Sequence, residues 1–474
     1  MKISTNKNSI EKIDQKFCRL VITEDKPNVH RLVETKDNRL EYRLGAGKFS
    51  KMTARKFRLF TRSIIQATKS HQLENLAIDI NAIPFPKTDY EASWNLSTLV
   101  ENLILADYTF TKYKSSTKED PVIKEILLCG NLSKADTVGL KRGIIVAEST
   151  NLARDIANTT ADDLTPDLLA KVAKKALLGT NVKLSVLDKK AIKQAKMGLL
   201  EAVGKGSHND PRFIIMEYYG AGKPTKDNKG KTKQPVILIG KGITFDTGGL
   251  NVKPSGYMHD MHLDMSGGSS VIGTMVAVAK LKLKQNIVAL IPAAENAVSD
   301  KAMRAGDIVT AMNGKTVEIL HTDAEGRLVL ADALTYSERF KPRAIIDVAT
   351  LTGAALVALG QYASAIMTKD EKLQTTLQNL GEQSGDYVWP LPLWSEYQSG
   401  LKSHRADYSN IDKNFSRYAG SIEGGTFLSF FAPKNVPWAH IDIAPRMDSV
   451  AHDKLTKGSA GEPVRLLVSY LEQA

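Results

Sequence analysis

Three short stretches of the chain concentrate carboxylates, lysines and glycines. The first reads Val236-Ile-Leu-Ile-Gly-Lys-Gly-Ile-Thr-Phe-Asp-Thr-Gly-Gly-Leu-Asn-Val-Lys, so Lys241, Asp246 and Lys253 follow an apolar run amid Gly240, Gly242, Gly248 and Gly249. Glycine at that density permits tight turns and close backbone approach. A phosphate-binding loop is the obvious rival, but the spacing is not GxxxxGK[ST], and Asp246 would repel a phosphate. The second stretch, Met258-His-Asp-Met-His-Leu-Asp-Met-Ser-Gly-Gly, offers Asp260 and Asp264 just ahead of a helical pattern. The third, His321-Thr-Asp-Ala-Glu-Gly-Arg-Leu, sets Asp323 and Glu325 two residues apart, on one side of the chain if the stretch is extended. Carboxylates converging from separate loops repel one another unless cations lie among them, and hard divalent ions with oxygen ligands are the natural compensation. Each stretch alone also has a plainer explanation. An Asp-x-Glu pair fits a solvated turn, and Asp264 could cap the helix that follows it. Lys241 could serve an ion pair, and Arg327 a salt bridge at a helix start. His259, His262 and His321 invite a histidine-bound zinc, but their spacing is not HExxH, which puts them near a carboxylate-held metal rather than on it.

These residues act together only if the fold brings their loops to one place. Strand-like apolar runs at 182–187, 212–219, 236–239, 287–293 and 344–349 alternate with helical patterns at 166–177, 191–199, 269–283 and 328–340. That alternation implies a largely parallel sheet covered by helices on both faces. Sites in such sheets form in loops beyond the carboxyl ends of the strands, and the strand ending at Ile239 leads directly into the first cluster. Residues 1–132 mix short strand candidates (20–23, 76–83, 123–129) with helical patterns (50–71, 97–105) and carry no catalytic constellation. The expected fold class is α/β. It comprises a small N-terminal α/β domain (1–132), a linking helix region (133–160) with Ile145, Leu152 and Ile156 on one face, and a larger domain (161–474) with a mixed, largely parallel sheet flanked by helices.

Bulk properties narrow the function classes. A chain of 474 residues exceeds one ordinary core, and 42% hydrophobic with 24% charged residues describes a globular protein. The two cysteines, Cys18 and Cys129, exclude a disulfide framework and a thiolate zinc cluster, and fit free thiols in a reducing compartment. The polar start MKISTNKNSIEKIDQKF has no apolar signal region, and no apolar run reaches the roughly 18 residues of a membrane span. A cytoplasmic location without membrane attachment is the expectation. The net charge of +12 raises nucleic acid as a partner, alone or beside another activity. Against it, the lysines are spread along the chain. Their densest run, Lys223, Lys226, Lys229, Lys231 and Lys233, lies in a Gly/Pro/Asn-containing stretch suited to a solvated hairpin loop.

Taken together, the three clusters resemble the leucyl aminopeptidase (cytosol aminopeptidase) family. Its signature Asn-Thr-Asp-Ala-Glu-Gly-Arg-Leu recurs at 321–328 except for the first residue. Gly240-Lys-Gly-Ile-Thr-Phe-Asp-Thr-Gly-Gly and Met261-His-Leu-Asp-Met precede it in the family's order. The likeness extends to Asn151-Leu-Ala-Arg-Asp-Ile-Ala-Asn, Ala349-Thr-Leu-Thr-Gly and Trp438-Ala-His-Ile-Asp-Ile-Ala, over roughly the last two-thirds of the chain.

The resemblance implies an aminopeptidase that holds two divalent ions, Mn²⁺ or Zn²⁺. One ion would be held by Lys241, Asp246, Asp264 and Glu325, the other by Asp246, Glu325 and the side chain and carbonyl of Asp323. It implies that Lys253 steadies the oxyanion, that Arg327 holds a bicarbonate relaying the proton, and that Asp264 receives the free amino terminus of a peptide. Met261, Thr350, Leu351 and Gly353 match substrate-contact positions, with a leucine-like first residue expected, and family members assemble as homohexamers. His321 stands where the family usually has asparagine, at the pocket wall, which leaves the side-chain preference open. His262 and the run Ser266-Gly-Gly-Ser also depart from the common pattern, yet no ligand position is lost. A dinuclear phosphoesterase is a further rival, disfavoured because Lys241 and Lys253 fit the peptidase pattern.

Overall fold

The computed structural model of the chain describes residues 1–27, 29–116, 122–224, 234–416 and 418–474, so Lys226, Lys229, Lys231 and Lys233 of the basic run lie outside the described residues. Two compact units emerge, Met1–Asn151 with Ser449–Lys457, and Leu152–Asp448 with Gly458–Ala474. The division at 151/152 falls within one long helix, α3 (Lys134–Asn158).

The first unit contains β1 (Lys2–Asn6), β2 (Cys18–Thr23), β3 (His30–Glu34), β4 (Leu40–Gly45), α1 (Ala54–Ser70), β5 (Asn75–Asp79), α2 (Trp94–Asp107) and β6 (Glu125–Cys129). Its six-stranded sheet runs β1-β6-β5-β2-β4-β3, parallel except where β3 meets β4. Helix α1 forms because Phe57, Phe60, Ile64 and Ile65 recur at helical spacing and bury one face against this sheet's core, while the Thr53 side chain caps its start. Cys18 and Cys129 are buried, unpaired thiols.

The second unit carries α4 (Pro166–Ala176), β7 (Lys183–Leu187), α5 (Lys189–Gln194), α6 (Gly198–Gly204), β8 (Arg212–Tyr219), β9 (Val236–Gly240), β10 (Gly242–Asp246), α7 (Ser266–Leu281) and β11 (Asn286–Asn296). There follow β12 (Ile308–Thr310), β13 (Thr316–Glu318), α8 (Gly326–Ser337), β14 (Ala344–Ala349), α9 (Gly353–Leu359), β15 (Ser364–Thr368), α10 (Glu371–Ser384), β16 (Val388–Pro390), β17 (Tyr408–Ser409), α11 (Gly420–Ser429), β18 (Trp438–Asp442) and α12 (Val464–Gln473). The large sheet has the order β16-β15-β18-β14-β9-β11-β8-β7, with β10 beside β11. Its centre, β18-β14-β9-β11, is parallel, and antiparallel pairings with β15 and β8 flank that centre. The sheet is therefore mixed and largely parallel, with helices on both sides.

Because both faces are covered, every residue of β9 and β14 is buried, and all are apolar except Asp347, which is hydrogen-bonded to Trp438 and His440. One core packs α4, α7 and α12 on one face, and the other packs α6, α8 and α11 on the opposite face. Among the described residues, no helix is long and apolar enough to cross a membrane.

One sequence expectation changes in detail, and one conditional reading is resolved. The single helix expected at 191–199 is two helices, α5 and α6, because Lys196 turns the backbone into the left-handed region. The stretch carrying Asp323 and Glu325 is a turn rather than an extended segment, with Glu325 already helical at the start of α8.

Candidate metal centre

The central parallel strands end side by side, and the chemistry-bearing residues lie just past those ends. Lys241 occupies the step between β9 and β10, its backbone fixed by Lys241 N donating to Val348 O (2.9 Å) and by Gly268 N donating to Lys241 O (2.8 Å). Those bonds require α7 to start almost against the sheet. A Cβ at Gly267 would strike Val348 O, and one at Gly240 would strike the backbone of Gly267. Gly240, and Gly267 within the Ser266-Gly-Gly-Ser run, are thus steric requirements of this approach. Asp246 closes β10, Asp264 sits in a 3-10 turn (Met261–Met265) before α7, and Asp323 and Glu325 lie in the turn before α8.

The side chains meet in a buried cluster. Lys241 Nζ lies 2.8 Å from Asp264 Oδ1, 2.8 Å from Glu325 Oε1 and 3.0 Å from the Thr350 carbonyl. Lys253 Nζ lies 2.7 Å from Asp246 Oδ2 and 2.6 Å from Asp323 Oδ1. Asp246 Oδ1 accepts from Gly248 N (2.9 Å) and Asn296 Nδ2 (2.8 Å). Thr350 Oγ1 donates to Asp264 Oδ1 at 2.8 Å. Gly326 is small out of necessity, since a Cβ there would come within 2.5 Å of Lys241 Cε and 2.7 Å of Lys241 Nζ.

The electrostatics identify what the cluster lacks. Burial, and then the charges of Glu325 and Asp246, push the Asp264 carboxyl up to about 7 against the pull of Lys241. Burial with Asp246 and Glu325 pushes Asp323 up to about 8, and burial with Asp246 raises Glu325. Asp246 alone is held low: its burial is outweighed by the two lysines. Both lysines are desolvated, yet the surrounding carboxylates hold them firmly protonated: Asp264, Glu325 and Asp246 for Lys241, and Asp246, Glu325 and Asp323 for Lys253.

Four ionised carboxylates packed against two ammonium groups would leave negative charge uncompensated, which together with burial is why three of the four carboxyls hold protons more tightly than usual. Asp264 Oδ2, Asp323 Oδ1 and Glu325 Oε1 are buried oxygens that face lysine nitrogens but accept no properly directed hydrogen bond. Oxygens of Asp246, Asp323 and Glu325 lie within 4.8 Å of one another. The carboxylates form an anionic, partly unsatisfied set of oxygen donors that suits hard divalent cations, so these residues fit the metals that the family resemblance implies.

Around this cluster stand the remaining residues singled out in the sequence. Arg327 is buried on α8, its Nη1 donating to Asn410 O at 2.7 Å while its Nε has no hydrogen bond among the described residues. Burial lowers its affinity for a proton, and Glu423, Glu325 and Asp442 oppose that effect. His321 is half-buried, and its Nδ1 accepts from Asp323 N at 3.2 Å. Burial, and then the charges of Lys253 and Arg327, favour its neutral form. Met261 and Leu351 are half-buried and Gly353 is exposed, with open space over its Cα. His259 and Asp260 are not part of the cluster; they pair with each other at 2.8 Å on an accessible turn. Asp264 does not cap α7.

Three residues escaped the sequence reading. Asn296, at the end of β11, donates to Asp246 Oδ1 and to Thr322 O (3.0 Å), tying two of the carboxylate-bearing segments together. Asn410 accepts from Leu320 N (2.8 Å), donates to His321 O (2.7 Å) and receives Arg327 on its own carbonyl. A lone asparagine gives no pattern signal. Asp442 lay within the Trp438-Ala-His-Ile-Asp motif, but no role was legible there.

Comparison with known proteins agrees with this geometry. The description "Cytosol aminopeptidase family, catalytic domain" matches residues 151–468, and "Cytosol aminopeptidase family, N-terminal domain" matches residues 35–117. The chain is 42% identical over 415 residues to a probable cytosol aminopeptidase of Aromatoleum aromaticum, covering 86% of this chain and 79% of that protein. It is 43% identical over 389 residues to one of Burkholderia mallei, covering 81% and 74%. Among solved structures it is similar to the bottromycin maturation enzyme BotP in complex with Mn, with a TM-score of 0.85 and 29% identity over 96% of this chain and 98% of that one. From its fold, its carboxylate–lysine cluster and these matches, the chain belongs to the cytosol aminopeptidase family.

Proposed function

We propose that this aminopeptidase is a dinuclear metal enzyme that removes leucine-like residues from peptides with a free amino terminus. The observation that carries the reading is the buried cluster of Asp246, Asp264, Asp323 and Glu325 around Lys241 and Lys253, with its excess of negative charge and undirected oxygens. Lys241, Asp246, Asp264 and Glu325 would hold one Mn²⁺ or Zn²⁺, with Lys241 ligating as the neutral amine, since adjacent dications would displace the proton that the carboxylates otherwise keep on it; Asp246, Asp323 (side chain and carbonyl) and Glu325 would hold the other. Bound there, such ions supply Lewis acidity toward a carbonyl and a nucleophilic water at neutral pH.

The chain's own groups do the rest. Asp264 offers a carboxylate to the substrate's ammonium, which explains action on chain ends, since an internal peptide bond has no amine to present there. Lys253 keeps its proton because its carboxylate neighbours outweigh its burial, and it stabilises the negative charge that develops on the scissile carbonyl oxygen. Arg327, with its Nε unengaged, offers a buried guanidinium to a small oxyanion such as bicarbonate, which would carry the proton toward the leaving amine. Met261, Thr350, Leu351, Gly353 and His321 border the substrate. A homohexamer acting in the cytoplasm is the assembly and setting consistent with this reading.

The test is hydrolysis of leucyl-anilide beside N-acetyl-leucyl-anilide by protein loaded with Mn²⁺ or Zn²⁺. The free-amine substrate should be cleaved and the acetylated one should resist. Equal cleavage of both, or cleavage of neither nor of any other free-amine peptide, would sink the proposal.

A further inference from the structure

Beyond the metal ligands, one carboxylate is more heavily engaged than its place outside the cluster explains. Asp442, at the carboxyl end of β18, is fully buried. Its Oδ1 accepts from Leu351 N (3.0 Å), Thr352 N (3.4 Å) and Ala444 N (3.2 Å). Its Oδ2 accepts from Thr352 Oγ1 (2.7 Å) and Ser421 Oγ (3.4 Å). The loop it grips, 350–353, follows β14 and begins at Thr350, whose carbonyl and hydroxyl touch Lys241 and Asp264. On its other side the loop rests on α11: a Cβ at Gly424 would come within 2.9 Å of Leu351 Cδ2.

We propose that Asp442 is a positioning residue for substrate binding, acting through this loop; the inference rests on the aminopeptidase reading above. Consuming the N–H groups of Leu351 and Thr352 on one buried carboxylate fixes which backbone groups remain for a ligand. The Leu351 carbonyl and the Gly353 N–H have no hydrogen-bond partner among the described residues. A peptide backbone needs one acceptor and one donor of that kind to be held in register. Gly353 adds open space above its Cα, so a substrate can approach closely. Without Asp442, three partly buried N–H groups would seek other partners and the loop would lose its single geometry. A serine or alanine at 442 cannot span these contacts. Asparagine can: its oxygen replaces Oδ1, and its amide donates to the hydroxyls of Thr352 and Ser421.

Because contacts from a fixed loop hold substrate before and during reaction, their loss raises KM more than it lowers kcat. A merely structural role would reduce the active fraction, lowering kcat at constant KM. The experiment is steady-state kinetics on leucyl-anilide with metal-loaded wild type, D442A, D442N and T352V, metal content being measured on each. D442A should raise KM about tenfold or more with kcat within about threefold and metal content unchanged. D442N should recover most of that loss, and T352V should show a smaller rise in KM. Wild-type kinetics in D442A, loss confined to kcat, or equal loss in D442N and D442A would overturn the inference. If D442A does not fold, T352V decides it: an unchanged KM rejects the role. Wild type inactive on every free-amine substrate would instead reject the aminopeptidase reading itself.

Discussion

At the scale of single residues, the cluster depends as much on side chains that are missing as on those that are present. Gly326 lies where any Cβ would meet the end of Lys241, the lysine nitrogen that joins Asp264 to Glu325. Gly326→Ala should therefore displace Lys241 and lower kcat/KM by roughly a hundredfold on leucyl-anilide, with little change in folding stability, because the strain falls on a flexible side-chain end. A fully active Gly326→Ala enzyme would show that Lys241 has no fixed place in the chemistry. The residues that compose the cluster were legible in the sequence because their types are incompatible with burial unless something cationic joins them. Asn296 and Asn410 were not, since a hydrogen-bonding asparagine carries no spacing and no charge to betray it.

At the scale of elements, the site is held by the way helices are tied to the sheet. Asp332 on α8 is buried and accepts from Leu199 N (2.9 Å) and Leu200 N (3.0 Å) at the start of α6, and from Met312 N (2.8 Å) beyond β12. It satisfies donors that the first turn of α6 leaves open. Asp332→Ala would strand two buried N–H groups and one partly buried one and should cost about 2–4 kcal/mol, read as a lower urea midpoint at unchanged slope. An unchanged midpoint would contradict that accounting.

The long central strands and the helices between them were readable because burial on both faces leaves uninterrupted apolar runs. Strand β10 was not, since Gly242 and the polar Thr244 and Asp246 break the pattern, and its register slips between Ile243 and Phe245. The conformation around Asp323 and Glu325 was left open by the sequence for a related reason. Two carboxylates spaced two apart converge in a strand, but a turn running into a helix start brings them together as well.

At the scale of the molecule, the metal cluster belongs wholly to the unit comprising Leu152–Asp448 with Gly458–Ala474. Four segments distant in sequence supply it, at 241–253, 264, 323–327 and 350, which is why the sequence could name the residues yet not display their contacts. The first unit has its own sheet and core and, among the described residues, places none in the cluster.

The central claim is that the carboxylate–lysine cluster is a two-metal hydrolytic site. The direct measurement is metal content per chain, determined together with leucyl-anilide hydrolysis, on protein stripped by chelator and then titrated with Mn²⁺ or Zn²⁺, with Asp246→Asn as the control. The stripped protein should be inactive and should recover as bound metal approaches two ions per chain, with Asp246→Asn neither filling both positions nor recovering. Full activity in the metal-free protein, or saturation with metal and no hydrolysis of any free-amine peptide, would contradict it.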